Sequence, residues 1–222
     1  MRPLADLLFP PACIGCGRPV RGGFCGQCLD EAELFSGASC SGCGSRLGFP
    51  VPRCGECRGK GFHFDAAAQA APFTGVVRRA VHRFKYSTIT ELVLPLAELS
   101  APLVMGEPVI TWIPASPSRL KDRGIDHARL LAEKVAQNRG LEALPLLQRM
   151  RDTRPQMQLD PALRKSNMRG AMVCHLDCPA EVAVIDDVFT TGATASEAAR
   201  ALKAAGAQHV QAVAVARAGS HL

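Results

Sequence analysis

Two carboxylates followed by three hydroxyls around a glycine, Asp186-Asp187-Val-Phe-Thr190-Thr191-Gly192-Ala193-Thr194, make the stretch of this chain richest in chemistry. It follows the apolar, mostly β-branched run Val182 to Ile185, the pattern of a central parallel strand covered on both faces. The two carboxylates read as the end of that strand. Beyond the loop, Ser196 to Ala205 reads as a helix with Gly206 as its stop. Such a loop lies at the first-turn amides, which have no intrahelical partner, and the helix dipole adds about half a positive charge there. A dianionic phosphate suits that position, and Gly192 lets the backbone come close to it. Asp186 and Asp187 repel a phosphate, so they suit a hydroxyl-bearing group or a metal ion beside it. A ribose diol fits. Diol acceptor and phosphate nest on one strand describe a sugar phosphate.

A second chemistry lies at the other end of the chain. Of the ten cysteines, eight form four CxxC pairs: Cys13/Cys16, Cys25/Cys28, Cys40/Cys43 and Cys54/Cys57. Each CxxC turn presents two thiolates to one ion, and two turns complete a tetrahedral zinc site. The repeat of Cys-Ile-Gly-Cys-Gly at Cys13 as Cys-Ser-Gly-Cys-Gly at Cys40 favours two structural Zn2+ sites built from consecutive pairs. A disulfide framework belongs to an oxidising compartment, whereas the opening Met1 to Pro11 has too short an apolar core for a signal peptide and is interrupted by Asp6. No apolar run reaches the roughly 18 residues of a membrane span. The expectation is a cytoplasmic protein without a span. Cys174 and Cys178, bracketing His175 and Asp177, read as ordinary thiols.

The formal charge of +6 counts each cysteine as neutral. A zinc ion with four thiolates carries about −2, so two sites leave the chain near +2. On the same count residues 1–60 become slightly acidic, which makes the ribbons a poor polyanion surface and favours a scaffold or partner-docking role. Metal also accounts for how some sixty residues with few large apolar side chains fold. Domains are therefore expected at residues 1–62, a double zinc ribbon, and 63–222, an α/β unit.

In that second unit Ala66 to Phe73 reads as a strand, with a turn at Gly75. Val76 to Tyr86 reads as a helix with Val77, Ala80, Val81 and Phe84 on one stripe and its basic residues on a solvated face. Glu91 to Ala101 continues as helix, kinked or restarted at Pro95. Val109 to Ile113 is the next strand, followed by the loop from Pro114 and a helix from Leu120 to Gln137. Arg119, Lys121 and Arg123 stand beside this loop, at the carboxyl edge of the sheet where ligands of such sheets collect. They suit either a pyrophosphate or a basic flank facing water. Asn138 to Leu147 and Val210 to Arg217 read as further strands. The stretch 150–170 is polar and Arg-rich; it reads as a plain surface loop, or as a closing flap if the fold resembles that of the phosphoribosyltransferases.

The Asp186 to Thr194 stretch resembles the phosphoribosyl diphosphate (PRPP) motif of type I phosphoribosyltransferases. Taken with Phe84-Lys-Tyr86, Arg119-Leu-Lys-Asp-Arg-Gly124, Arg151-Asp-Thr-Arg-Pro-Gln-Met-Gln-Leu159, Asn167-Met-Arg-Gly-Ala171 and the four CxxC pairs, the chain resembles the ComF family. That resemblance implies a type I phosphoribosyltransferase-like parallel sheet flanked by helices behind an N-terminal zinc ribbon. It also implies PRPP held with Mg2+, and a place in natural competence beside single-stranded DNA or a competence-machinery protein. By the same carry-over Asp186 and Asp187 hold the ribose hydroxyls, and Thr190, Thr191, Gly192, Ala193 and Thr194 hold the 5-phosphate. Two departures fall on the pyrophosphate side: Gly124-Ile-Asp-His127 replaces the family's Gly-Phe-Asn-Gln, and Ala115-Ser116 stands where Val-Pro-Leu is usual. The alternative from another class is a non-catalytic PRPP or nucleotide sensor, or an adaptor, that keeps the fold.

Overall fold

A computed structural model describes residues 12–20, 22–86, 92–150 and 170–219, apart from the side chains of Arg119 and Arg123. The elements run α1 (Gly26–Asp30), β1 (Ala66–Pro72), α2 (Gly75–Tyr86), α3 (Val93–Ser100), a 3-10 turn (Ala101–Leu103), β2 (Val109–Trp112), α4 (Pro117–Arg123) and α5 (His127–Arg139). They continue as β3 (Leu147–Arg149), β4 (Met172–Cys174), β5 (Glu181–Phe189), α6 (Ala193–Ala204) and β6 (His209–Arg217).

The main sheet has the order β1-β6-β5-β2 and is parallel throughout. Its central strands β5 and β6 pair from Glu181 with His209 to Phe189 with Arg217. Side chains alternate across the pleat. Ala183, Ile185, Val213 and Val215 pack with Val77, Val81, Phe84, Leu96 and Val135 on the face covered by α2, α3 and α5. Val182, Val184, Val210, Ala212 and Ala214 pack with Ala198, Ala199 and Leu202 of α6 on the other. Small alanines on α6 let the helix axis come close to the sheet. The helix ends as expected: Ala207 N–H bonds Leu202 C=O at 3.1 Å and Gly206 N–H bonds Lys203 C=O at 3.2 Å, with Gly206 at φ 112°, a Schellman stop.

Three expectations are corrected. The helix read from Leu120 to Gln137 is two, because Pro117 opens α4 in a first turn that needs no proline N–H and Gly124, at φ 70°, closes it. Asp126 then caps α5, its carboxylate accepting from Arg129 N–H at 3.2 Å. Of the strand read over Asn138 to Leu147, only an isolated bridge of Ala143 to Ile110 and Leu147, the first residue of β3, are extended pairings, since Gly140 at φ 66° turns the chain out of α5 first. Instead β3 and β4 form a separate antiparallel pair. Finally, the central strand runs through both carboxylates to Phe189 rather than ending at them, because β6 supplies backbone partners along that whole length. The helix after the loop accordingly begins at Ala193, nearer to the acids than the sequence suggested.

Asp65 ties β1's entry to α6 and β6. Its carboxylate meets Lys203 Nζ at 2.7 Å and accepts from Val210 N–H at 2.8 Å. Burial works against its charge, but Lys203 and the Val210 amide outweigh burial and hold its pKa below the usual carboxylate range. A depressed folded pKa gives stability that is present above the unfolded value of about 3.9 and lost as pH falls through the folded one. Because the side chain is a third exposed, Asp65→Asn should cost only about 1 kcal/mol near pH 7. Thermal midpoints of the two proteins should converge only once the pH has fallen through that lowered folded pKa. A gap that persists there would mean that packing, not charge, is responsible.

Among the described residues no helix is long and apolar enough to cross a membrane.

Candidate functional site

The carboxyl edge of β5 opens into a cleft of about 420 Å³. Asp186 and Asp187 line it from the strand, Thr190, Gly192 and Thr194 from the loop and first turn of α6, and Ser116, Asp126 and His127 from the β2 side. Gly192 sits at the N-cap position of α6 with φ 79° and makes no side-chain cap bond of its own. A Cβ at that position would lie 2.8 Å from Phe189 Cζ and 3.0 Å from Phe62 Cε1, so both the backbone angle and the space call for glycine. Thr191 Oγ1 accepts from Ala193 N–H at 3.4 Å, which folds the loop back on its helix. Asp186 Oδ1 accepts from Asp187 N–H at 2.8 Å.

Helix α2 contributes what the sequence reading left without a role. Lys85 Nζ lies 2.8 Å from Asp187 Oδ1, with both side chains mostly buried. Arg78, His82 and Tyr86 line the same cleft, and the rings of Phe73, His82 and Tyr86 stack in series at centroid distances of 6.0 and 5.9 Å. The i, i+4 spacing of Arg78, His82 and Tyr86 was the available signal; it reads as a solvated face until the sheet edge is placed beside it. Arg149 also lines the cleft, its guanidinium donating to Pro114 C=O at 3.1 Å.

The basic residues expected near the pyrophosphate fare differently. Lys121 is exposed on α4 and is not among the cleft residues, while the side chains of Arg119 and Arg123 lie outside the description. Arg151, Arg154, Arg164, Lys165 and Arg169 of the flap reading, and the motifs at 151–159 and 167–169, lie outside the described residues. Asp126, the departure from the family's asparagine, has work that an acceptor-only carboxylate does well: it caps α5 and accepts from Ala115 N–H at 3.3 Å. It fixes the β2 loop against α5.

The eight N-terminal cysteines form two groups, Cys13/Cys16/Cys25/Cys28 and Cys40/Cys43/Cys54/Cys57, the consecutive pairing read from the repeat. Zn–S bonds of about 2.3 Å in a tetrahedron set sulfurs about 3.8 Å apart. The measured separations fit: Cys16–Cys25 3.8, Cys40–Cys57 3.5, Cys43–Cys54 3.6 and Cys54–Cys57 3.8 Å. Backbone amides also aim at the sulfurs, Cys25 N–H at Cys13 (3.3 Å) and Cys54 N–H at Cys40 (3.2 Å). Burial opposes the Cys13 thiolate, yet the amides of Cys25, Cys16 and Gly15 bring its pKa down to about 6. In the second site burial and neighbouring thiols push Cys57 up to about 12. A dication resolves that conflict, since only it makes four adjacent thiolates favourable. No other cluster of this kind occurs among the described residues; burial and Cys174 push the Cys178 thiol up to about 11.

Residues 4–60 match the double zinc ribbon domain family. Over almost its whole length the chain is similar to the DNA utilization protein YhgH of Salmonella typhi, at 29% identity over 92% of this chain and 96% of the relative. YhgH of Escherichia coli (strain K12) is 26% identical over the same shares. Competence protein F of Haemophilus influenzae is 25% identical over 90% of this chain and 92% of the relative. Among solved structures, the glutamine PRPP amidotransferase from B. subtilis complexed with ADP and GMP matches with TM-score 0.41 and 19% identity, over 60% of this chain. This chain spans about 30% of that enzyme's length. Its paired four-cysteine sites and its similarity over almost the whole chain to competence protein F and the YhgH proteins agree with the resemblance to the ComF family.

Proposed function

We propose that the cleft binds PRPP with Mg2+ and that the protein is a phosphoribosyltransferase-like component of DNA uptake or use. The observation that carries this reading is the convergence, in one cleft, of two strand carboxylates and a glycine-led helix start. The carboxylates suit a diol and the helix start suits a phosphate. The role in DNA handling rests on the names of the relatives, DNA utilization protein and competence protein F.

Asp186 and Asp187 would accept from the ribose hydroxyls, while Thr190 to Thr194 would take the 5-phosphate with hydroxyls and first-turn amides. The two acids also fit Mg2+, which binds through one or two carboxylates together with ligand oxygens. When bound, it would neutralise the pyrophosphate as it departs from C1. Lys85 offsets the charge of Asp187 beside a polyanion. Lys85→Met should therefore weaken PRPP binding by about tenfold, with Lys85→Arg recovering part of the loss; calorimetry on folded variants checks both. Equal affinity in Lys85→Met would remove the lysine from the ligand's surroundings.

Nucleobase-dependent release of pyrophosphate tests turnover directly. Its absence alongside PRPP binding would favour a non-catalytic sensor. Single-stranded DNA binding that survives loss of both acids would place DNA on another surface and favour the adaptor reading.

A further inference from the structure

The loop that follows β5 lies between two cavities. On one side is the cleft just described. On the other, between the loop and the second zinc ribbon, is a hollow of about 470 Å³ lined by Cys57, Lys60, Phe62, Thr190, Thr191 and Arg217, among others. A loop with open space on both sides is held by the few side chains that cross it, and among the described residues Phe62 and Arg217 do so.

Arg217 ends β6 directly beside Phe189. Its guanidinium, whose side chain is 12% exposed, donates to Cys43 C=O at 2.8 Å and to Glu56 at 2.8 Å, and lies 5.4 Å above the Phe189 ring. Cys43 belongs to one CxxC turn of the second site, and Glu56 lies inside the other. One arginine thus grips both halves of that site and the residue that opens the loop. Glu56 is fixed further by Ser45 Oγ at 3.3 Å.

Phe62 leaves the ribbon just after Cys57 and packs on two clusters at once, the second ribbon's and that of the α6 face. Its ring stacks on Phe64 at 4.6 Å, and Phe64 meets Phe189 edge-on at 6.0 Å. The backbone of Gly192 rests on the Phe62 and Phe189 rings, with no room for a Cβ between. The next residue, His63, donates its N–H to Ser196 Oγ in α6 at 3.1 Å. The first ribbon makes a different connection: Arg79 and Arg83 of α2 donate to the carbonyls of Gly15, Cys13 and Ile14.

We propose that the second four-cysteine site and the loop Thr190–Gly192 form one mechanical unit, in which Phe62 and Arg217 are positioning residues and metal at Cys40, Cys43, Cys54 and Cys57 sets the loop's shape and ligand affinity. An anion nest works only when its amides are held within about half an ångström of the productive geometry. Four thiols without a metal do not hold two CxxC turns together. Loss of that metal frees Glu56 and Phe62, and with them the two supports of the loop. The affinity part rests on the PRPP reading; the mechanical part does not.

The test is amide hydrogen exchange on the full zinc-loaded chain, read at residues 190–195 and, as a reference, at 109–113. Phe62→Ala and Arg217→Gln should keep both zinc ions and the wild-type far-UV dichroism, while exchange at 190–195 rises by about tenfold or more and the reference strand stays unchanged. PRPP affinity should fall by about tenfold or more in both, and Phe62→Tyr should restore loop protection and affinity together. Cys57→Ser, which breaks the second site alone, should loosen the same residues and serves as the decisive variant if Phe62→Ala does not fold. Loop exchange within about twofold of wild type in Cys57→Ser and Arg217→Gln overturns the proposal, as does unchanged affinity in a variant whose loop has loosened. Should the wild type bind no PRPP, the ligand assignment fails, and the exchange measurement still decides whether ribbon and loop are coupled.

Discussion

Replacing Asp186 and Asp187 together by asparagine is expected to abolish calorimetric binding of PRPP with Mg2+ while leaving the fold and both zinc ions in place. Both residues lie near the carboxyl end of β5, line the cleft and are only partly buried, so the substitution removes charge without opening a cavity. An asparagine keeps one acceptor oxygen for a hydroxyl but cannot neutralise a divalent ion, and charge-assisted hydrogen bonds are about twice as strong as neutral ones. The loss should amount to two to three orders of magnitude, about 3–4 kcal/mol. Lys85 would also lose its partner at 2.8 Å, so the variant should be slightly less stable, by about 1 kcal/mol. Residual binding of inorganic phosphate in the variant would be consistent, because the loop amides remain. No binding of PRPP to the zinc-loaded wild type would sink the PRPP reading outright and turn attention to DNA and protein partners.

Zinc removal is expected to have the largest effect on stability. Structural zinc contributes on the order of 10 kcal/mol or more to a domain of this kind, and the second site has a small apolar cluster: among the described residues its four cysteines pack with the hydrophobic side chains of Leu47, Val51 and Phe62. A strong chelator should unfold residues 12–60, seen as lost far-UV dichroism and new protease cuts confined to that segment. From the sequence alone, the remainder of the chain is expected to stay folded. The packing adds a second consequence, because Cys13, Ile14, Cys28 and Ala32 share a buried cluster with Val77, Val81 and Phe84 of α2. Stripping Ile14 from that cluster removes about 2 kcal/mol of apolar burial, so the remaining α/β unit should stay folded but melt several degrees lower. Unchanged dichroism and protease resistance after verified metal removal would exclude a structural role for the zinc.

What the sequence determined by itself is chemistry written in neighbouring residues. CxxC spacing and its internal repeat gave the two zinc sites and their pairing, because a four-residue turn fixes where two sulfurs point whatever surrounds it. The acids, threonines and Gly192 gave the strand, loop and helix of the candidate site for the same reason: backbone direction and first-turn amides are local properties. Gly206 stopped its helix where expected, since a left-handed C′ residue needs no tertiary partner. Where local signals were misjudged, as at Pro117, Gly124 and Asp126, the cost was one helix read in place of two.

Tertiary structure alone decided which distant groups meet. Lys85 reaches Asp187 only because α2 packs over the sheet beside β5, and no spacing in the chain encodes that approach. Asp126, which sequence comparison would score as a lost amide, turned out to hold two backbone N–H groups that are brought together only by the turn between α4 and α5. The contact of the second ribbon with the loop after β5, through Phe62 and Arg217, depends on β6 ending beside Phe189 and on a ribbon docked there. Pairing of residues far apart in the chain is set by packing of the whole core, where each contact is worth little and the sum selects one arrangement.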